Sequence, residues 1–163
     1  MVQTIVFLLF SLVALGAALA VVTSRNIFHS ALFLILSFVG VAGLYVLLEA
    51  PFLAAVQILI YVGAIAVLIV FAIMLTHHLM AEDLVQRNAQ WGWSALGVGL
   101  LFAGLTFVLL RVNWPIVEAA VPEDTIKILG QELMGPYVIP LEVASVLLLM
   151  ALIGSIVIAR DQE

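Results

Sequence analysis

The stretch Pro51 to Leu75 carries polar and small side chains where a simple lipid-facing helix would carry leucine. Gln57, Tyr61 and Gly63 stand near the middle of this apolar run, which is long enough to cross a bilayer as a helix. The glutamine amide and the tyrosine hydroxyl both donate and accept hydrogen bonds. Polar and small residues inside a membrane helix usually face protein or water. The spacing therefore indicates a moving or proton-conducting part of a membrane protein.

Two carboxylates stand beside prolines at the ends of apolar stretches, Glu49 two residues before Pro51 and Glu142 two residues after Pro140. At a helix end a carboxylate stays hydrated and complements the amino-terminal dipole of the following helix. The alternative is a role in proton exit on the outer side of the membrane, or in contact with another subunit.

The chain contains no cysteine, which excludes disulfides, thiolate metal sites and cysteine-ligated iron-sulfur clusters. His77 and His78 are adjacent, so on a helix their side chains diverge by about 100° and do not readily share a metal ion. They are interpreted as loop histidines near the membrane interface. We expect no catalytic centre, no bound cofactor and no metal site in this chain.

Composition fixes the broad class of protein. Of the 163 residues, 66% are hydrophobic and only 9% are charged, far more apolar than a soluble domain of this size can hide in one core. The net charge of -5 leaves no basic patch for nucleic acid. The surroundings of most of the chain are therefore predicted to be the lipid bilayer.

The hydrophobic pattern predicts an all-α membrane protein, a bundle of five transmembrane helices that form a single domain over residues 1–163. The connections between the first three helices are short, so these helices are expected to pack as antiparallel neighbours. The predicted spans are about 2–22, 28–48, 52–75, 92–110 and 141–159.

The basic residues give a weak preference for an amino terminus outside and a carboxy terminus in the cytoplasm. In that orientation three arginines lie inside, whereas one arginine and one lysine lie outside. The inner residues are Arg25, Arg87 and Arg160, and the outer ones are Arg111 and Lys127.

Five segments together resemble the subunit J family of proton-pumping NADH-quinone oxidoreductase, respiratory complex I, whose mitochondrial equivalent is chain 6. They are residues 25–32 (RNIFHSAL), 49–52 (EAPF), 57–65 (QILIYVGAI), 71–75 (FAIML) and 137–145 (YVIPLEVAS). The resemblance covers essentially the whole chain, and the YVGAI segment is its most specific part.

The resemblance implies a core membrane subunit that couples quinone reduction to proton pumping and has no redox centre of its own. FMN, iron-sulfur clusters and quinone are expected on other subunits of the complex. The implied partners are the membrane subunits around the quinone cavity and the antiporter-like chains. The implied location is a bacterial cell membrane or an energy-transducing organelle membrane.

Family members are known for a π-bulge in the third helix, whose formation and loss accompany rotation of that helix beside the channel between the quinone cavity and the proton pumps. The resemblance thus marks Gln57, Tyr61, Val62, Gly63 and Ala64 as hinge and water-path residues. A widened turn frees backbone carbonyls, which then need water or a side-chain donor. The alternative is that Gly63 only allows close packing while Tyr61 hydrogen-bonds within the bundle.

The chain departs from some family members at Gln57, where they carry glutamate. Glutamine forms hydrogen bonds but does not carry a proton as a carboxylate does, so a mechanism that titrates this position is in doubt here. Two other functions stay open from sequence. One is a subunit of a related cation/proton antiporter or membrane-bound hydrogenase, in which similar helices serve ion movement without quinone; the other is a purely structural spacer. For the quinone-linked function the electron donor, NADH or ferredoxin, also stays open.

Overall fold

A computed structural model describes residues 1–76, 90–113 and 124–160, and within these ranges the chain forms helices and no strand. Five of the six described helices are long and apolar enough to cross a membrane. The predicted all-helical membrane fold with five candidate spans is therefore confirmed, whereas the orientation of the termini stays a prediction. The helices are α1 (Val2–Thr23), α2 (Ile27–Leu47), α3 (Pro51–Thr76), α4 (Trp91–Arg111), α5 (Thr125–Leu133) and α6 (Val138–Ala159).

The last span begins at Val138, earlier than the predicted start at residue 141. The predicted span places Pro140 before the helix, but the structure places it in the first turn. The backbone N–H groups of a first turn have no partner within the helix, so proline removes no hydrogen bond there. The other four predicted spans agree with the structure to within one residue at each end.

The short helix α5 was not predicted from the sequence. Its nine residues are too few to cross a bilayer, and they lie between the fourth and fifth predicted spans. Ile126, Leu129 and Leu133 recur at the spacing of one helix face, and α5 packs against α6.

The helices group into two compact units, residues 1–117 and residues 118–163. In the first unit α2 packs against α1 and also along the whole length of α3. This agrees with the antiparallel packing that the short connections predict. Organisation as one membrane domain stays a prediction.

The contact between α1 and α2 is a close approach of two backbones. A Cβ atom added at Gly40 would lie 2.8 Å from the backbone nitrogen of Ala14 and 2.9 Å from its Cα atom. Beside it, the hydroxyl of Ser37 donates a buried hydrogen bond of 3.0 Å to the carbonyl oxygen of Ala14. Small residues let membrane helices approach in this way, and a polar side chain strengthens the pairing. The α1–α2 pair is therefore a firmly packed hairpin.

The turn between α2 and α3 contains the one non-glycine residue of positive φ in the described chain, Glu49, at φ 55°. Its N–H donates to the carbonyl of Val46 at 3.1 Å, and the N–H of Ala50 donates to that of Tyr45 at 3.0 Å. These two bonds form a Schellman motif, in which the left-handed residue is usually glycine because it has no Cβ atom.

Replacing Glu49 with glycine is expected to stabilise the chain by about 0.5–1 kcal/mol, because it removes the steric cost of a Cβ atom in the left-handed region. The measurement is the free energy of unfolding of the purified chain in mixed micelles, followed by circular dichroism. Glu49→Ala is the matched control, since it removes the carboxylate and keeps the Cβ atom. An equal gain in both variants would attribute the effect to charge and contradict the backbone explanation.

Candidate functional site

The central part of α3 is a π-helix, Gln57–Ala66, between α-helical segments at Pro51–Val56 and Val67–Thr76. Pro51 occupies the start of the helix, where its fixed φ is favourable. We refer to Gln57–Ala66 as the π segment. It contains all five residues that the resemblance marks as hinge and water-path positions, and it extends two residues beyond the last of them, to Ala66. Their roles in gating stay predictions.

Gly63 lies on the exposed surface of the π segment. A Cβ atom added there would have a single neighbour within 4 Å, the carbonyl oxygen of Ile58 at 3.4 Å. No other helix of the described chain presses on this position, so close packing within the chain does not explain the glycine. The neighbouring carbonyl belongs to the residue five positions earlier, which is the hydrogen-bonding interval of a π-helix.

The wide turn changes which residues share the face towards the rest of the chain. Gln57 and Ala66 are buried, with 7% and 1% of their surfaces exposed, and Val62 between them is half-buried. Their intervals of five and four residues suit the π-helical spacing. In a regular α-helix, Val62 and Ala66 would be turned from Gln57 by about 140° and about 180°. The common face of these three residues therefore exists only while the segment is π-helical.

Gln57 is the buried polar residue of this face. The described chain offers its amide no hydrogen-bond partner, yet no fully buried polar side-chain atom is left unsatisfied, so the amide keeps an accessible edge. An unpaired amide in an apolar medium costs about 1–3 kcal/mol. This position therefore requires a hydrogen-bonding partner from outside the described part of the chain, such as water.

Tyr61 contacts α2 through its ring. The rings of Tyr61 and Phe38 form an edge-to-face pair with centroids 5.5 Å apart and planes inclined by 70°. The side chain stays 43% exposed, and its hydroxyl has no hydrogen-bond partner among the described residues. The ring pair fixes the tyrosine while the hydroxyl is free to bind water.

The two candidate carboxylates are both exposed and belong to different compact units. Glu49 occupies the turn that precedes α3, eight residues before the π segment begins at Gln57, whereas Glu142 lies near the start of α6. Neither is in hydrogen-bonding contact with another side chain of the described chain. His77 and His78 lie outside the described residues. Within those residues, no three potential metal ligands come together.

Sequence reasoning missed Phe38 and Ser37. In the sequence they are one aromatic and one small polar residue in an apolar helix, and neither type is unusual there. Their adjacency on α2 is the feature of the sequence that indicates contacts with two different helices, because adjacent helical residues point about 100° apart. The structure shows that Ser37 bonds to α1 and Phe38 contacts α3.

Comparison with known proteins adds independent information. Residues 17–158 match the family described as NADH-ubiquinone/plastoquinone oxidoreductase chain 6. The chain is 42% identical to NAD(P)H-quinone oxidoreductase chain 6 of Synechocystis over 163 residues, which cover 98% of this chain and 81% of the relative. It is 44% identical to the chloroplastic NAD(P)H-quinone oxidoreductase subunit 6 of Staurastrum punctulatum over 153 residues, 88% of this chain and 83% of the relative. It is also 38% identical to F(420)H(2) dehydrogenase subunit J of Methanosarcina mazei over 166 residues, 98% of this chain and 92% of the relative.

Proposed function

The chain belongs to the family of NADH-ubiquinone/plastoquinone oxidoreductase chain 6, and from this premise we propose that it couples quinone reduction to proton pumping through a change of its third helix. As a family member it is a subunit of an oxidoreductase complex, and it is an integral protein of a bacterial or organellar membrane. The coupling role, the switch in α3 and the partners around the quinone cavity are the proposal.

The π segment is the observation that carries this proposal. In the π-helical form Gln57, Val62 and Ala66 share one face, and in an α-helical form that face divides. A change between the two forms therefore turns the rest of α3 relative to its beginning. Such one-residue shifts of register give two discrete arrangements rather than a continuous bend.

The π-helical and α-helical forms of the segment differ in which polar groups are accessible to water. The wide turn leaves backbone carbonyls with weakened hydrogen bonds, which need water or a side-chain donor in a membrane. The accessible edge of Gln57 and the unpaired hydroxyl of Tyr61 are the side-chain groups of the π segment that hold such water. The Tyr61 hydroxyl relays a proton by accepting one from water as it releases its own, whereas Gln57 only holds the water in place through hydrogen bonds, so neither group changes its charge. The proposed gate is therefore an uncharged water path that opens and closes with the helix form.

The same role serves complexes with different electron donors. The names of the similar proteins include NAD(P)H-quinone oxidoreductase and F(420)H(2) dehydrogenase, although the chains are comparably similar to this one. We therefore propose that the donor is oxidised on other subunits, where FMN and iron-sulfur clusters are expected, and that this chain acts after electrons reach quinone.

Replacing Gln57 with leucine tests the water path. The change keeps the side chain buried and removes both hydrogen-bonding groups, so the proton-to-electron ratio of membrane vesicles is expected to fall by at least about threefold, the effect of one lost hydrogen bond. Quinone reduction is expected to stay within about twofold of normal. The readouts are quinone reduction and acidification of the vesicle lumen in the same preparation.

Gln3→Leu is the matched control, because it makes the same chemical change at an exposed position of α1. It should leave the ratio unchanged. A normal ratio in assembled Gln57→Leu complexes would contradict a role of this amide in proton movement.

A further inference from the structure

We infer that Phe38 is a positioning residue that holds α3 in its π-helical form, with the α1–α2 hairpin as its fixed support. The ring pair between Phe38 and Tyr61 carries the inference, and its effect on coupling rests on the proposed function. Phe38 belongs to no site that the sequence or the family comparison assigns.

The backbone around Phe38 is fixed by the contact between α1 and α2. Ser37, its direct neighbour, donates the buried hydrogen bond to the carbonyl oxygen of Ala14. Gly40, two residues after Phe38, approaches the backbone of the same alanine. Backbone segments that are packed this closely keep one arrangement and do not shift in small steps. Because Ser37 and Phe38 point about 100° apart on α2, the residue that contacts α1 anchors the residue that contacts α3.

The partner ring lies within the segment that is proposed to change. Tyr61 is in the middle of the π segment, with its ring edge-to-face against Phe38 at a centroid distance of 5.5 Å. Loss of the wide turn shifts the hydrogen-bonding register by one residue, which corresponds to a rotation of about 100°. If the part of α3 that contains Tyr61 rotates by this angle, the tyrosine ring moves away from Phe38. The pair is therefore made in the π-helical form and broken in the alternative.

An aromatic pair of this geometry shifts an equilibrium between two forms by about three- to tenfold. Replacing Phe38 with leucine keeps an apolar side chain on α2 and removes the ring contact. The expected result is a three- to tenfold faster amide hydrogen exchange of residues 57–66 in the complete purified complex, because the ring pair stabilises the π-helical form relative to locally opened states and hydrogen exchange reports the population of those opened states. Phe38→Tyr keeps the ring and should exchange as the unmodified chain does.

Phe33→Leu is the matched control, since Phe33 lies on the same helix, is exposed, and forms no ring pair with another described residue. Its exchange over residues 57–66 should be unchanged. Tyr61→Leu removes the same pair from the other side, and its exchange should rise to the same extent if Phe38→Leu does not assemble. Unchanged exchange in an assembled variant that lacks either ring would overturn the inference.

Proton pumping measured on the same variants separates the two proposals. Faster exchange with an unchanged proton-to-electron ratio would support the role of Phe38 in holding the π segment and contradict the coupling function of that segment. Faster exchange with a lowered ratio supports both. Unchanged exchange with a lowered ratio would contradict the positioning role and leave the coupling function supported.

Discussion

Replacing Gly63 with valine is expected to lower proton pumping of the complex by about tenfold. A Cβ atom at this position touches the carbonyl oxygen of Ile58 at 3.4 Å, so the two methyl groups of valine crowd that oxygen. β-branched side chains have few alternative rotamers in a helix, and the crowding disfavours the wide turn. Overpacking of about 1.4 kcal/mol against one of two helix forms is enough for a tenfold change in their ratio.

The measurement is proton pumping and quinone reduction in vesicles that contain equal amounts of assembled complex. Gly63→Ala is the matched control, since its Cβ atom makes only an ordinary contact with Ile58, and it should pump within about twofold of normal. Gly97→Val is a second control, because a Cβ atom at Gly97 has no neighbour within 4 Å.

The result separates a coupling role from a purely structural one. A spacer subunit predicts that substitutions in α3 change the amount of assembled complex and never the pumping of the complex that assembles. Normal pumping together with normal quinone reduction in Gly63→Val vesicles would contradict the gate.

The second large effect is expected at Gly40, where alanine should destabilise the chain by about 2–3 kcal/mol. The new Cβ atom would lie 2.8 Å and 2.9 Å from backbone atoms of Ala14. Backbone atoms do not swing aside as a side-chain end does, so α1 and α2 must separate. Separation also weakens the buried hydrogen bond from Ser37 to Ala14. Unfolding in mixed micelles and the yield of assembled complex are the measurements.

Two other glycines provide controls for that result. Gly16→Ala should be nearly neutral, because a Cβ atom at Gly16 on α1 has no neighbour within 4 Å. Gly43→Ala should have an intermediate effect, because its neighbour is the ring of Phe10, which can adopt another rotamer. If Gly40→Ala is as stable as Gly16→Ala, the close approach of α1 and α2 is not what holds the hairpin together.

Glycines that look equivalent in the sequence therefore differ in the structure. The pattern Gly16 with Ala20 on α1 is a small-residue pair that favours helix packing, yet a Cβ atom added at Gly16 would have no neighbour within 4 Å in the described chain. Gly40 carries the close approach instead. The sequence shows that a glycine leaves room for a neighbouring helix. Which helix lies against that glycine depends on how the two helices pair in the folded chain.

The same distinction applies to the candidate site. The sequence and the resemblance identified Gln57 and residues 61–64 as special, because polar and small residues are costly or weakly packed in a membrane helix. The extent of the π segment and the shared face of Gln57, Val62 and Ala66 came only from the structure. Hydrogen-bonding register is a property of the folded helix against its neighbours, and side-chain types alone do not specify it.

By itself, the sequence determined the membrane fold and the number and approximate ends of its five candidate spans, because each long apolar run must satisfy its own backbone hydrogen bonds in lipid. Only the tertiary structure decided that Phe38 meets Tyr61, that Gly40 meets Ala14, and that α3 is π-helical over Gln57–Ala66. These features depend on contacts between residues distant in the chain, and local hydrophobicity contains no information about which distant residues meet.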